Sequence, residues 1–208
     1  MQPNINSSLE SNELKRIHKA LTTIVSMLIA RKWISNNPTQ HFDELIKNAG
    51  QVEIIDSTYI QCDDKQVAIK FYNYDLNTLK NDREIDTFIS KYPNYHKILI
   101  VNNVSTKAEK QIRDTQNFEV FKISDIEIDI AKHHLVPKHE LLTKEEIEQF
   151  KKEYKVKEKD LSRICHDDPM VKYLFAHKGD IIRINRINTN SLHAISYRLV
   201  VNKSVHEN

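Results

Sequence analysis

Glycine is nearly absent from this sequence: Gly50 and Gly179 are the only two in 208 residues. Neither a G-x-G-x-x-G nor a G-x-x-x-x-G-K-[ST] phosphate loop can be written from them, so nucleotide binding through a Gly-rich turn is excluded. Cysteine is as scarce. Cys62 and Cys165 lie far apart, too few for a disulfide framework and without the paired spacing of a zinc site, which points to a reducing compartment. Long apolar runs are missing too. The longest, from Ile24 to Ala30, is interrupted by Ser26 and stops at Arg31-Lys32, far short of the ~20 residues that span a bilayer. Met1 to Glu10 is polar and lacks the apolar core of a secretory signal. A soluble intracellular protein with no membrane partner is expected. Excess charge is also lacking: Lys and Arg number 31 against 29 Asp and Glu, a formal net charge of +2. Proteins that coat nucleic acid alone rely on a strong positive excess, so only a local basic face remains open.

What is present is a folding pattern. Hydrophobic residues make up 39% and charged residues 29%, a globular composition, and the length suits two small domains. Leu14, Ile17, Leu21, Ile24, Val25 and Leu28 recur at helical spacing, with Ser7 and Glu10 as a capping box. Pro38 and Thr39 open a second helix carrying Phe42, Leu45 and Ile46, and Gly50 ends it. The period then changes. Val52 to Ile55 reads as a short strand, Asp63-Asp64-Lys65 as a turn, and Val67, Ile69 and Phe71 as an alternating strand. Leu79, Ile85, Phe88 and Ile89 fit a helix that stops before Pro93. Ile98 to Val101 is a strand buried on both faces. Thr106 with Glu109 caps a helix with Ala108 and Ile112 inward. Phe118 to Ile123 reads as a strand, and Ile126, Ile128 and Ile130 alternate as a last one. Strands alternating with helices imply an α/β domain with parallel pairs, closing near Ala131 (1–131).

A second domain, 132–208, opens on the extended segment Leu135 to His139, set by Pro137. Thr143 and Glu146 form a capping box for a helix with Ile147, Phe150 and Tyr154 on one side. The lysines from Lys151 to Lys159 make its solvated face and exit. A short helical piece is expected near Leu161 to Ile164. Asp168-Pro169 pairs an N-cap acid with a proline at the first helical position, leading a helix through Tyr173. Gly179-Asp180 is a turn. Ile182 and Ile184 alternate around Arg183 in one strand, and Ile195, Tyr197, Leu199 and Val201 in another. This α+β module is close to the lower size limit for independent stability, so a partner surface would help it.

The segment His133-His134-Leu135-Val136-Pro137-Lys138-His139-Glu140-Leu141-Leu142 resembles the signature that opens a universal RNA polymerase subunit. That subunit is the fifth of the eukaryotic nuclear enzymes, called H in archaea. The resemblance runs through Asp167-Asp168-Pro169, Tyr173, Lys178-Gly179-Asp180, Ile181 to Ile184 and Arg186, and ends with Ser196-Tyr197-Arg198-Leu199. The archaeal form is similar to the second domain alone. The added first domain looks like the eukaryotic form and its homologues in large DNA viruses. Two departures stand out. Only Arg186 and Ser191 fit the family's R-x-S-E-T-[AS]-G-R stretch, here Arg186 to His193. Leu174-Phe175-Ala176 stands where the family has a glycine after Tyr173.

The resemblance implies a non-catalytic subunit of DNA-directed RNA polymerase, nuclear if cellular, and in the virion and host cytoplasm if viral. Its second domain docks on the largest subunit, and its first forms part of the jaw over downstream DNA, with a nuclease-like sheet that lacks the active site. It needs no cofactor or metal and works with other subunits rather than as a homo-oligomer. The assembly residues expected are Pro137 and Pro169 for chain direction, Asp168 as cap, and His139, Arg186, Tyr197 and Arg198 for directional contacts. Lys15, Arg16, Lys107, Lys110 and Arg113 are candidates for DNA-phosphate contacts, against the plainer reading of a solvated helix face.

Two other classes compete. A restriction-type nuclease would use Asp56, Asp63 or Asp64 with Lys70, and needs an acid two residues before the lysine on the same strand face. Ala68 occupies that position, and Glu53 has no matching lysine. Asp167-Asp168 as paired catalytic carboxylates is weaker, since capping explains Asp168. A stand-alone nucleic-acid-binding regulator conflicts with the near-neutral charge. His133, His134 and His139, with Cys165, His166 and Asp167, could suggest a metal site, but the segment carrying the first three is extended and lacks ligand spacing. Cys165 as a nucleophile activated by its neighbour His166 is weaker still.

Overall fold

The computed structural model describes residues 5–34, 58–62, 65–79, 82–113, 115–157, 160–186 and 194–202. The expected Ser7–Glu10 capping side chains, the helix from Pro38, the strand at Val52–Ile55, the Asp63-Asp64 turn and the divergent stretch 187–193 lie outside the described residues and side chains. The chain divides into two compact units, Met1–Ile128 and Asp129–Asn208, where sequence alone placed the boundary at Ala131.

In the first unit, α1 (Ile5–Ala30) precedes a four-stranded sheet. Ile17, Leu21, Ile24, Val25 and Leu28 are buried as their spacing requires, joined by Ala20 and Met27, but Leu14 is half exposed. The sheet runs β1 (Thr58–Gln61), β2 (Gln66–Tyr72), β3 (His96–Val101), β4 (Phe118–Lys122). β1 is antiparallel to β2, whereas β2–β3 and β3–β4 are parallel. β1 was not foreseen, since Thr58-Tyr59-Ile60-Gln61 is too short and too polar to announce a strand.

Two helices make the parallel crossovers, α2 (Arg83–Lys91) and α3 (Thr106–Arg113). Asp82 caps α2 by accepting from the amides of Glu84 and Ile85. The cap of α3 corrects expectation by one residue: Ser105 Oγ, not Thr106, accepts from the Ala108 amide at 3.2 Å. Ile85, Leu99, Val101, Ala108, Ile112 and Phe118 pack together as the core under these helices.

β2 and β3 are buried on both faces, as central parallel strands must be. Ala68 and Lys70 are therefore as buried as Val67 and Ile69, and the alternation read from Val67, Ile69 and Phe71 does not mark a wet face. The expected last strand is also corrected. α4 (Ile123–Ile126) and a 3-10 turn at Ile130–Lys132 occupy that stretch, with Ile123 and Ile126 buried and Ile128 exposed.

The second unit has its own four-stranded sheet, ordered β5 (Lys138–Leu141), β7 (Ile181–Arg186), β8 (Ala194–Val201), β6 (Ser162–Cys165). β5–β7 and β7–β8 are antiparallel and β6–β8 is parallel. β6 replaces the helical piece expected near Leu161, because Ile164 is the single apolar residue of Ser162–Cys165 to be buried and four residues cannot show a period. α5 (Lys144–Tyr154) begins with the full Thr143–Glu146 capping box and ends at Lys155, which is left-handed with φ 50°. α6 (Pro169–Tyr173) is capped by Asp168. Tyr173 donates to Asp129 at 3.2 Å. No helix among the described residues is long and apolar enough to cross a membrane.

Candidate functional site

Residues that face one another across a ladder share a sheet face, so the register of the second unit sorts the expected assembly residues. His139 opposes Ile184, which opposes Ser196; Arg198 opposes Ile182, and Arg186 opposes Ala194. His139, Arg186 and Arg198 therefore stand on one face, around the buried Ile182, Ile184 and Val200. Val200, not Leu199 or Val201, is the fully buried residue of β8, and Ile195 is exposed. The alternation read from Ile195 to Val201 was thus in the wrong phase for the core.

His139 is half-buried, and its Nδ1 lies 2.7 Å from the Pro137 carbonyl. Burial pushes its pKa below the ordinary histidine value; the Pro137 hydrogen bond and the Asp168 charge oppose that, and Arg198 and Arg186 add to it. Two guanidiniums and the carboxylate that caps α6 thus all act on the His139 imidazole. Pro169 is exposed at the first turn of α6 and Arg186 is exposed at the end of β7. The apolar residues of this face are covered within the chain, which leaves His139 and the two arginines to offer directional polar contacts around them.

Tyr197 does not belong to it. It opposes Arg183 on the other face, where its ring packs on Phe150 at 4.2 Å and on Tyr154 at 6.0 Å. On that face Arg183 bonds Glu140 at 3.0 Å and reaches Glu146 at 3.6 Å. Tyr197 thus fastens α5 to its own sheet. Sequence reasoning could not assign it, since alternation gives two faces without saying which is covered.

In the first unit, Lys15, Lys107 and Lys110 are exposed, and Arg16 is paired with Glu127. The Arg113 side chain lies outside the described ones. The position two residues before Lys70 is Ala68, buried. Lys70 itself is 2% exposed and its ammonium is 2.9 Å from Glu84. Tyr72 donates to Asp82 at 2.5 Å, which pushes its own pKa up to about 12. The polar groups about Lys70 are thus engaged with one another as helix cap and ion pair. Asp56, Asp63, Asp64 and Glu53 lie outside the described residues. Of the histidines and acids considered for a metal, the structure brings together Cys165, His166 and Asp167, with ligand atoms all within 4.8 Å of one another. His133 and His134 stack on each other at 4.6 Å instead.

With this geometry in place, similarity to known proteins decides the family. The profile described as "RNA polymerase Rpb5, C-terminal domain" matches residues 128–200. An archaeal relative, DNA-directed RNA polymerase subunit Rpo5 of Methanocaldococcus jannaschii, is 38% identical over 76 residues, 36% of this chain and 97% of that protein. The chain belongs to the RNA polymerase subunit 5 family. Similarity extends over the first unit as well. DNA-directed RNA polymerase subunit 5 of Acanthamoeba polyphaga mimivirus is 29% identical over 97% of this chain and all of its own length. Subunit rpabc1 of RNA polymerases I, II, and III from Dictyostelium discoideum is 25% identical over 91% of this chain and 99% of its own. The archaeal relative matches about one unit's worth of chain, the other two nearly all of it. One departure from the family pattern now has a structural meaning: within Leu174-Phe175-Ala176, the stretch where the family has a glycine, Phe175 has φ 53°, a backbone region that suits glycine and strains a bulky side chain.

Proposed function

We infer that this chain is a non-catalytic subunit of a multisubunit DNA-directed RNA polymerase. Its second unit docks on the largest subunit, and its first contributes to the jaw over downstream DNA. The observation that carries the reading is similarity along the whole chain to proteins named as polymerase subunit 5, including one matched over its full length. The face that joins His139, Arg186, Arg198 and the Asp168 cap supports docking through the second unit, because guanidiniums give directional contacts to a partner. Pro137 and Pro169 set the chain direction at its edges. The partners are the other polymerase subunits and the DNA held among them. The workplace is the nucleus if the polymerase is cellular, and the virion and host cytoplasm if viral.

The first unit fits a nuclease-like sheet that has lost its chemistry. Ala68 stands where an acid must be, and Lys70 is held dry against Glu84. Exposed Lys15, Lys107 and Lys110 suit loose phosphate contacts without sequence readout. No observation favours a nuclease or a stand-alone regulator over this reading. The deciding experiment is purification of the tagged chain from its native source. Wild type should bring the largest polymerase subunit in stoichiometric amount, and Arg198→Glu should lose at least ten-fold of it. Undiminished assembly of that variant would sink the docking assignment.

A further inference from the structure

The turn that follows β6 carries three metal-ligating side chains in a row, and docking gives them no task. Cys165 ends β6, paired with Val201. The His166 amide donates to the Val201 carbonyl at 3.0 Å, and the Asp168 amide returns to the Cys165 carbonyl at 3.0 Å. Both ends of the turn are therefore fixed by backbone bonds, and the three side chains project from a rigid support. His166 Nδ1 lies 3.9 Å from Cys165 Sγ, and His166 Nε2 lies 2.9 Å from Asp167 Oδ1.

The Sγ···Nδ1 separation matters. A zinc ion at roughly 2.3 Å from sulfur and 2.0 Å from nitrogen would hold those two atoms about 3.5 Å apart, close to the distance already present. One ligand atom from each of the three residues lies within 4.8 Å of the others. All three residues are half-buried, which leaves solvent access for an ion and a water to complete four-coordination. Adjacent ligands are not the usual zinc spacing; the turn creates the convergence.

We propose that Cys165, His166 and Asp167 form a binding site for a borderline-soft divalent cation of the zinc class. The thiolate and Nδ1 are direct ligands, and a rotation of the Asp167 carboxylate away from Nε2 supplies the third. Thiolate with imidazole selects zinc or cobalt over magnesium or calcium. The ion would tie the end of β6 to the turn that leads into α6, whose cap, Asp168, borders the docking face. Binding displaces the thiol proton to solvent, so no redox partner is involved.

Cobalt(II) titration of the full-length reduced chain tests this directly. A thiolate-to-cobalt charge-transfer band should grow to one equivalent, and one equivalent of zinc should abolish it. Cys165→Ser should remove the band. His166→Gln and Asp167→Asn should each weaken zinc binding by at least ten-fold, followed by competition with a chromogenic chelator. Cys62→Ser, at the other and buried cysteine, should leave the band intact, as should His133→Gln/His134→Gln. Absence of the band in wild type, its loss in Cys62→Ser, or unchanged zinc affinity in His166→Gln and Asp167→Asn would overturn the proposal. Because three independent variants report, misfolding of one does not protect it.

Discussion

Two positions show how single residues set local energy in opposite directions. Lys155 is exposed and left-handed with φ 50° at the end of α5, where its amide still bonds the Lys151 carbonyl. A side chain there is strained and, being exposed, buries little in compensation, so Lys155→Gly should raise stability by about 0.5–1 kcal/mol. Urea midpoints of the two proteins would check it. Glu119 is the reverse case. It is buried and accepts two bonds from Arg31, at 2.7 and 2.9 Å, and a contact from His96 at 2.5 Å. Burial alone would raise its pKa, yet Arg31 and His96 outweigh that and hold it below the ordinary glutamate value of 4.5. A depressed carboxylate contributes stability above its unfolded pKa and loses it as pH falls through the folded one. The first unit should therefore weaken as pH drops below about 4.5. Glu119→Gln should cost about 3 kcal/mol at neutral pH and flatten that acid limb, read from denaturation midpoints against pH.

At the scale of elements, caps were the most legible feature. Thr143 with Glu146, and Asp168 with Pro169, were readable because each is a short-range pairing whose partners lie within three residues. Thr143→Ala should cost about 1 kcal/mol, measured as a lowered thermal midpoint, with the shift centred on α5. Elements shorter than one period were not legible. β1 and β6 have four residues each, and their strand character comes from a neighbour's hydrogen bonds. The same limit turned Ile126 to Ile130 into an expected strand: three isoleucines at alternate positions are equally compatible with a helix end and a turn. Burial phase in β8 was illegible for a related reason. Apolar and polar residues occur on both of its faces, and both are covered: Phe150 of α5 lies over Tyr197 on one, while Val200 is buried on the other.

For the molecule as a whole, the two units have separate sheets, and the archaeal relative matches 36% of this chain. The proposed docking through the second unit predicts that a fragment of residues 129–208 co-purifies with the largest polymerase subunit when co-expressed, while residues 1–128 alone do not. The reverse partition would relocate docking to the first unit. Of the expected interface residues, register unites His139, Arg186 and Arg198 and detaches Tyr197.

The sequence by itself determined the class of this protein, its family and the starts of α5 and α6. Those features rest on local pattern: few glycines, recurring apolar spacing, caps and an ordered string of motif residues. Tertiary structure decided which face each side chain occupies, and that Lys70 is dry and paired. It also decided that a polar tetrapeptide is a strand, and that Cys165, His166 and Asp167 converge. These depend on hydrogen bonds and burial between segments distant in the chain, which no periodicity within one segment can encode.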